Sequence, residues 1–248
     1  MPRIETIYTA NSVEKPLGSA VALVTGSSRG IGRAIALRLA TMGAAVAICG
    51  RDAAALAATT GEIEEIGVRT FSQVADVTKP AAVSGLVEKC QVALGPITIL
   101  VNNAGIGLFG PSHEKSEADW DKVMATNLKS VFLFSKAVIP AMIERGGGDI
   151  INISSLAGKN TFAGGGIYCA SKWGLQGLTG CMAEDLRELG IRVSVVCPGS
   201  VATEFSSRAK DLAKVLAPDD VAHTVAMLVT QGPQSFVSEV VLRPLRKG

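Results

Sequence analysis

Short, almost uninterrupted apolar runs recur along this chain, and each but the last leads into a longer stretch with helical periodicity. The runs are AVALVT (20–25), AVAIC (45–49), RTFSQVA (69–75), ITILV (97–101), DIINIS (149–154), RVSVVC (192–197) and EVVLR (239–243). The first, second, fourth and sixth are apolar on both alternations, as strands covered on both faces are. Helices are expected near 31–42, 53–66, 79–94, 117–144, 168–189 and 218–230. Gly43, Gly67, Gly95 and Gly190 stand where helices should stop, and Pro218 followed by Asp219 and Asp220 is a helix start. Strands alternating with helices imply βαβ units, and right-handed crossovers then place helices on both faces of the sheet. The expected architecture is therefore α/β, a doubly wound, seven-stranded, mostly parallel sheet. A barrel of eight strands is the competitor, and seven runs are present. No linker or repeat divides the chain, so 19–248 is expected as one domain behind a loosely ordered arm at 1–18.

Charge and composition remove several classes of function. The chain has 248 residues and a net charge of +2, from 24 basic and 22 acidic side chains. No basic stripe forms, so neither nucleic acid nor an anionic membrane is expected as a partner. The five scattered cysteines form no CxxC pair and point to a reducing compartment, the cytoplasm. With only His113 and His223, a histidine metal site or a Ser-His-Asp triad is not expected. The first 19 residues lack the apolar core of a secretory signal, and no run of 18 uncharged apolar residues occurs.

After the first apolar run comes TGSSRGIG (25–32), with Gly26, Gly30 and Gly32 spaced GxxxGxG. A glycine permits the tight turn out of a strand, another lets backbone approach a pyrophosphate, and a third lets the helix pack close. The helix that starts there offers free N–H groups to phosphate. This is a Rossmann-type dinucleotide loop. At the end of the second run stands ICGRD, where an NAD site would carry an acidic side chain for the ribose. Arg51 stands there instead and suits a 2′-phosphate, with Arg29 able to clamp the same group. Asp52 lies a place or two too far on and reads as a helix cap. NADP(H) is therefore expected over NAD(H).

These residues, with NNAG (102–105), YCASK (168–172) and CPGSVAT (197–203), resemble the short-chain dehydrogenase/reductase family from about residue 19 onward. The resemblance implies a catalytic set of Asn127, Ser155, Tyr168 and Lys172. Ser154 competes with Ser155, and the spacing of 13 residues to Tyr168 favours Ser155. It implies a cofactor lined by Gly26, Ser28, Arg29, Gly30, Ile31 and Gly32, then Arg51, then Asp76 and Val77 at the adenine. Asn103, Ala104, Gly105, Tyr168, Lys172, Pro198, Gly199, Val201 and Thr203 would line the rest, the last two at the carboxamide.

The chemistry such a set must perform is specific. A free tyrosine with a pKa near about 10 is a poor acid at neutral pH, and a neighbouring cation lowers that value. Residues i and i+4 share a helix face, so Lys172 is expected beside Tyr168 to tune it. Tyr168 would protonate a carbonyl oxygen as hydride arrives, with Ser155 orienting that oxygen. By resemblance, Lys172 would also hold the ribose, and Asn127 a water leading to Lys172. The substrate is expected to be a small or carrier-bound carbonyl compound, with a 3-oxoacyl-acyl-carrier-protein reductase among the family's activities. A homotetramer or homodimer is expected through helices 117–144 and 168–189, where Val131, Phe134, Val138, Leu175 and Leu178 fit core or interface alike. The stretch 203–217 reads as a short lid, and Arg243, Arg246 and Lys247 as solvated surface or as a receiver for an acidic carrier.

Overall fold

In the computed structural model, residues 15–206 and 214–246 are described. One sheet organises the chain, in the order β3-β2-β1-β4-β5-β6-β7. Its strands are β1 (Val21–Thr25), β2 (Ala45–Gly50), β3 (Thr70–Val74), β4 (Ile99–Asn102), β5 (Gly148–Ile153), β6 (Ile191–Pro198) and β7 (Glu239–Leu242). Every pairing is parallel, so the sheet is fully rather than mostly parallel.

The apolar runs explain the two layers of helix. In β1, Ala22 and Val24 enter one core cluster while Val21 and Leu23 enter the other. In β2, Val46 and Ile48 alternate in the same way with Ala45, Ala47 and Cys49. The first cluster packs under α1 (Gly30–Thr41), α2 (Ala53–Ile66) and α7 (Pro218–Val229), through Ile35, Leu39, Ile63, Val221 and Val225. The second packs under α3 (Pro80–Leu94), α5 (Ser130–Arg145) and α6 (Gly166–Leu186), through Leu86, Cys90, Phe134, Val138 and Met182. The edge strands β3 and β7 alternate toward solvent, as strands with an open side do.

Two expectations are refined. The helix expected at 117–144 is broken into α4 (Glu117–Met124), a π-helical turn (Ala125–Lys129) and α5. Ser116 and Asp119 close a capping box at the start of α4. Val131, Phe134, Val138 and Leu175 are buried core residues, while Leu178 is half-buried. Of the expected arm, residues 1–14 lie outside the described residues. Leu17, just beyond them, is buried against the first core, and its N–H donates to the Met42 carbonyl at 3.0 Å.

The chain winds outward from β1 to β3, then returns to start β4 on the other side of β1. At this reversal the loops after β1 and β4 diverge and open a crevice above the carboxyl ends of the strands, which is where doubly wound sheets take ligands.

Candidate active site

A cleft of about 1390 Å³ opens at that crevice. Its floor is the turn from β1 into α1. Gly26 (φ 64°) and Gly30 (φ 57°) adopt left-handed backbone that glycine tolerates. Gly32 has ordinary helical backbone, yet a Cβ there would fall on the Gly26 carbonyl oxygen and the Asn103 amide. Arg29 precedes α1 in extended conformation and contributes no side-chain cap, so no side chain occupies the first N–H groups of the helix.

The NNAG turn is bonded directly to this loop. Thr25 Oγ1 accepts from the backbone N–H groups of Asn103 (3.0 Å) and Ala104 (3.1 Å). Asn103 Nδ2 in turn donates to the carbonyls of Thr25 and Gly26, both at 3.0 Å. The Asn103 side chain therefore fixes the glycine loop, a task the motif alone does not reveal. Ser27 joins the same loop to β2, accepting from the Cys49 N–H at 3.1 Å and donating to the Val24 carbonyl at 2.8 Å.

One end of the cleft carries arginines and carboxylates together. Ser28, Arg29, Gly50 and Arg51 line it, with Asp76, Val77 and Thr78 beyond. Asp52 accepts from the Ala55 N–H at 3.1 Å and so caps α2, as expected. Arg51 is exposed and makes no hydrogen bond or ion pair with the described residues; its charge reaches Asp76. Thr78 donates to Asp76 from its N–H (3.0 Å) and its hydroxyl (2.8 Å), which holds this carboxyl below its ordinary pKa. Arg29 is engaged: its Nη1 donates to Glu204 Oε2 at 2.7 Å, with both side chains well exposed.

The other end holds Tyr168, Lys172, Ile153 and Ser154. Tyr168 lies in the first turn of α6, and the Ser155 side chain acts on its hydroxyl so as to oppose a rise in its pKa. Ser155 Oγ also accepts from the Ala157 N–H at 3.1 Å, while Ser154 Oγ accepts from Gln176 Nε2 at 3.1 Å. Ser154 lines the cleft and Ser155 does not, while Ser155 is the serine whose side chain acts on the Tyr168 hydroxyl. Lys172 is buried, donates to the Ile153 carbonyl at 2.9 Å and lies 5.8 Å from the centre of the Tyr168 ring.

The electrostatics of this pair differ from the expectation that Lys172 lowers the tyrosine pKa. Burial dominates both groups: it pushes Tyr168 up to about 12, against the opposing Ser155 bond, and Lys172 down to about 8. The shared helix face exists, but burial is the largest cause of both shifts and neither group is a cause of the other's. Tyr168 is held protonated, and Lys172 titrates near neutrality.

Asn127 lies in the π-helical turn, away from the cleft lining. Its Oδ1 accepts from the Ile106 N–H at 2.8 Å, and its Nδ2 donates to the Ile106 carbonyl (2.9 Å) and Ser171 Oγ (3.0 Å). The side chain is spent on holding the turn after NNAG against α6. Gly105 fits between the two: a Cβ there would sit 3.5 Å from Asn127 Oδ1 and 3.8 Å from Lys172 Nζ.

The segment after β6 closes the cleft. Gly199 donates to the Leu242 carbonyl at 2.8 Å, and Val201 is buried in the first core and does not line the cleft. Thr203 lines the cleft beside Gly30, while Pro198 and Gly199 do not. Part of the stretch read as a lid, 207–213, lies outside the described residues, as does Lys247 of the basic tail. Reasoning from the sequence missed Thr25, Glu204, Phe109 and Phe205. The first is legible only as the T of TGSSRGIG; Phe109 stands in a loop, and Glu204 and Phe205 in a single 3-10 turn too short to show a period.

A glycine loop under a helix start, with a buried tyrosine–lysine pair above the strand ends, defines a dinucleotide-linked oxidoreductase site. The short chain dehydrogenase family model matches residues 20–213, and the chain belongs to that family. It is 40% identical over 233 residues to a subunit of (2S)-[(R)-hydroxy(phenyl)methyl]succinyl-CoA dehydrogenase from Thauera aromatica, covering 90% of this chain and 93% of that one. It is 40% identical over 235 residues to (3R)-3-hydroxyacyl-CoA dehydrogenase of Rattus norvegicus, covering 87% and 91%. A metagenomic short-chain oxidoreductase crystallised with NADP superposes with a TM-score of 0.84 at 46% identity, over 93% of this chain and 100% of that one.

Proposed function

We propose that this chain is an NADP(H)-dependent carbonyl reductase that forms a secondary alcohol, with 3-oxoacyl thioesters, including those on an acyl carrier, as the leading substrate class. The observation that carries it is Tyr168, set against a buried Lys172 at one end of a cleft whose other end presents Arg51, unpaired among the described residues. NADP(H) fits the residues present: the uncapped start of α1 suits the pyrophosphate, and Arg51 suits the 2′-phosphate. The NADP complex of the related metagenomic oxidoreductase supports the same choice, and the identity to the 3-hydroxyacyl-CoA dehydrogenase supports the thioester.

When bound, NADPH supplies the hydride. Ser155 holds the carbonyl oxygen in line with Tyr168. Tyr168, kept protonated by burial, delivers its hydroxyl proton to that oxygen as the bond order falls. Lys172 stabilises the resulting phenolate and, titrating near about 8, returns a proton to it at neutral pH. Asn127 supports Lys172 indirectly, by tying the turn at Ile106 to Ser171, its neighbour on α6.

Assembly is proposed through the outward faces of α4, α5 and α6, where Trp120, Phe132 and Trp173 are 46%, 47% and 50% exposed around a groove that includes Met124, Leu128 and Leu178. A homotetramer or homodimer would cover them, and the mass in solution tests this. The five free cysteines fit a reducing cytoplasm, and no helix among the described residues is long and apolar enough to cross a membrane.

The test of function is NADPH oxidation against acetoacetyl thioesters, small diketones, aldehydes and keto sugars, with NADH run in parallel. Turnover with NADPH at least about tenfold above NADH is expected, since charge-assisted bonds to a phosphate carry that much discrimination. Tight NADPH binding without oxidation by any carbonyl would contradict the reading.

A further inference from the structure

Three chain segments border Tyr168, and each contributes a phenylalanine. Phe109 follows the NNAG turn, Phe162 lies between Ser155 and α6, and Phe205 follows Thr203. The rings form one array. Phe205 lies 5.8 Å from the Tyr168 ring at 46°, and Phe109 lies 5.4 Å from it at 70°. Phe109 meets Phe205 at 6.3 Å and 89°, and Phe162 at 6.0 Å and 50°. These separations are those of attractive edge-on and tilted aromatic pairs.

The array is built into the backbone. A Cβ on Gly107 would come within 2.6 Å of the Phe109 ring and 2.9 Å of the Phe205 ring. A Cβ on Gly165 would come within 2.6 Å of the Phe162 ring. The Gly110 N–H donates to the Gly164 carbonyl at 2.8 Å and so ties the loop of Phe109 to the loop of Phe162. Phe205 lines the cleft itself with Gly107 and Leu108, and Phe109 and Phe162 continue the ring array beyond the cleft lining. All three rings remain open to solvent, with Phe109 at 40%, Phe162 at 49% and Phe205 at 48% exposure. Apolar rings left half wet beside the reacting group are the lining expected of a site awaiting a matching apolar ligand.

We propose that Phe109, Phe162 and Phe205 form a subsite for a flat apolar ring attached to the carbonyl carbon, so that the enzyme prefers aryl ketones and 3-aryl-3-oxoacyl thioesters to their methyl counterparts. This rests on the reading of Tyr168 as the proton donor, because the array is placed by that ring. With the carbonyl oxygen at the Tyr168 hydroxyl, a substituent pointing outward meets Phe205 and Phe109 first. A phenyl ring there extends the tilted array, whereas a methyl leaves the rings as wet as before. Replacing phenylalanine by leucine keeps the apolar volume and removes the flat face.

The experiment compares kcat/KM for NADPH-linked reduction of two N-acetylcysteamine thioesters, 3-oxo-3-phenylpropanoyl and 3-oxobutanoyl. A phenyl-to-methyl ratio of about ten or more is expected of the wild type, the size that contact with two aromatic rings supports. Phe109→Leu and Phe162→Leu are each expected to lower that ratio several-fold, with circular dichroism confirming the fold. A wild-type ratio of one or below overturns the subsite, as does a ratio that both leucine variants leave unchanged. Reduction of neither thioester, with NADPH bound normally by fluorescence titration, instead overturns the reductase reading and the subsite with it.

Discussion

Lys172 Nζ lies 5.8 Å from the centre of the Tyr168 ring and is anchored to the Ile153 carbonyl at 2.9 Å. Four residues apart on α6, the two share one face, yet each is controlled by burial more than by the other. The fold thus carries a buried amine that titrates near about 8 beside a hydroxyl that stays protonated to about 12.

This arrangement has a stability cost with a definite sign. Lys172 falls from an ordinary value of 10.5 to about 8 on folding. Below pH about 8 it is charged in both states and the full burial penalty applies; between about 8 and 10.5 the unfolded chain holds a proton the folded one has lost, so stability rises with pH. Lys172→Met is therefore expected to stabilise the fold by about 2 kcal/mol at pH 7, the penalty less a lost hydrogen bond, and to destabilise it by about 1 kcal/mol at pH 10.5, where the penalty is gone and the bond to the Ile153 carbonyl is still lost. Urea unfolding at the two pH values checks this. The same variant is expected to lose turnover.

Arg29 and Glu204 stand 175 positions apart and meet at 2.7 Å in the corner proposed for the 2′-phosphate. A phosphate binding Arg29 would compete with this carboxylate for the guanidinium. Glu204→Gln is expected to tighten NADPH binding about threefold to tenfold while leaving NADH unchanged, and Arg51→Ala to weaken NADPH about tenfold or more. Titration with both nucleotides at low and high salt decides this; equal effects on both would remove the phosphate assignment from this corner.

The glycine loop has no spare volume at Gly32. Gly32→Ala is expected to cost about 1–3 kcal/mol of stability and most of the NADPH affinity, because the new methyl collides with the Gly26 carbonyl and Asn103. Asn103→Ala removes two bonds to that loop and is expected to raise KM for NADPH more than it lowers kcat. Thermal unfolding and steady-state kinetics on the two variants check both statements.

What the sequence disclosed was local or periodic. Ala22 and Val24 alternate with Val21 and Leu23, so β1 announces burial on both faces before any contact is known. Asp52 announces its cap, and the spacing of Ser155 to Tyr168 separates it from Ser154, which the structure turns toward Gln176. What was hidden depends on tertiary packing. The π-helical turn at Asn127 follows from docking against Ile106 and Ser171, contacts 21 and 44 positions away, so the helical pattern runs through it unbroken. The raised Tyr168 pKa depends on how much water the surrounding fold removes. The array of Phe109, Phe162 and Phe205 comes from three loops, where no period marks which side chains converge.

The most direct test of the central claim is single-turnover reduction by Tyr168→Phe, with NADPH affinity measured on the same sample. The ring, its contacts to Phe109 and Phe205 and the fold are kept, and only the hydroxyl is removed. A fall in the reduction rate of about a hundredfold to ten-thousandfold is expected, the range for a positioned general acid, with NADPH binding within about twofold of wild type. A variant that still reduces its carbonyl substrate at a rate near the wild type would contradict the assignment of Tyr168 as proton donor.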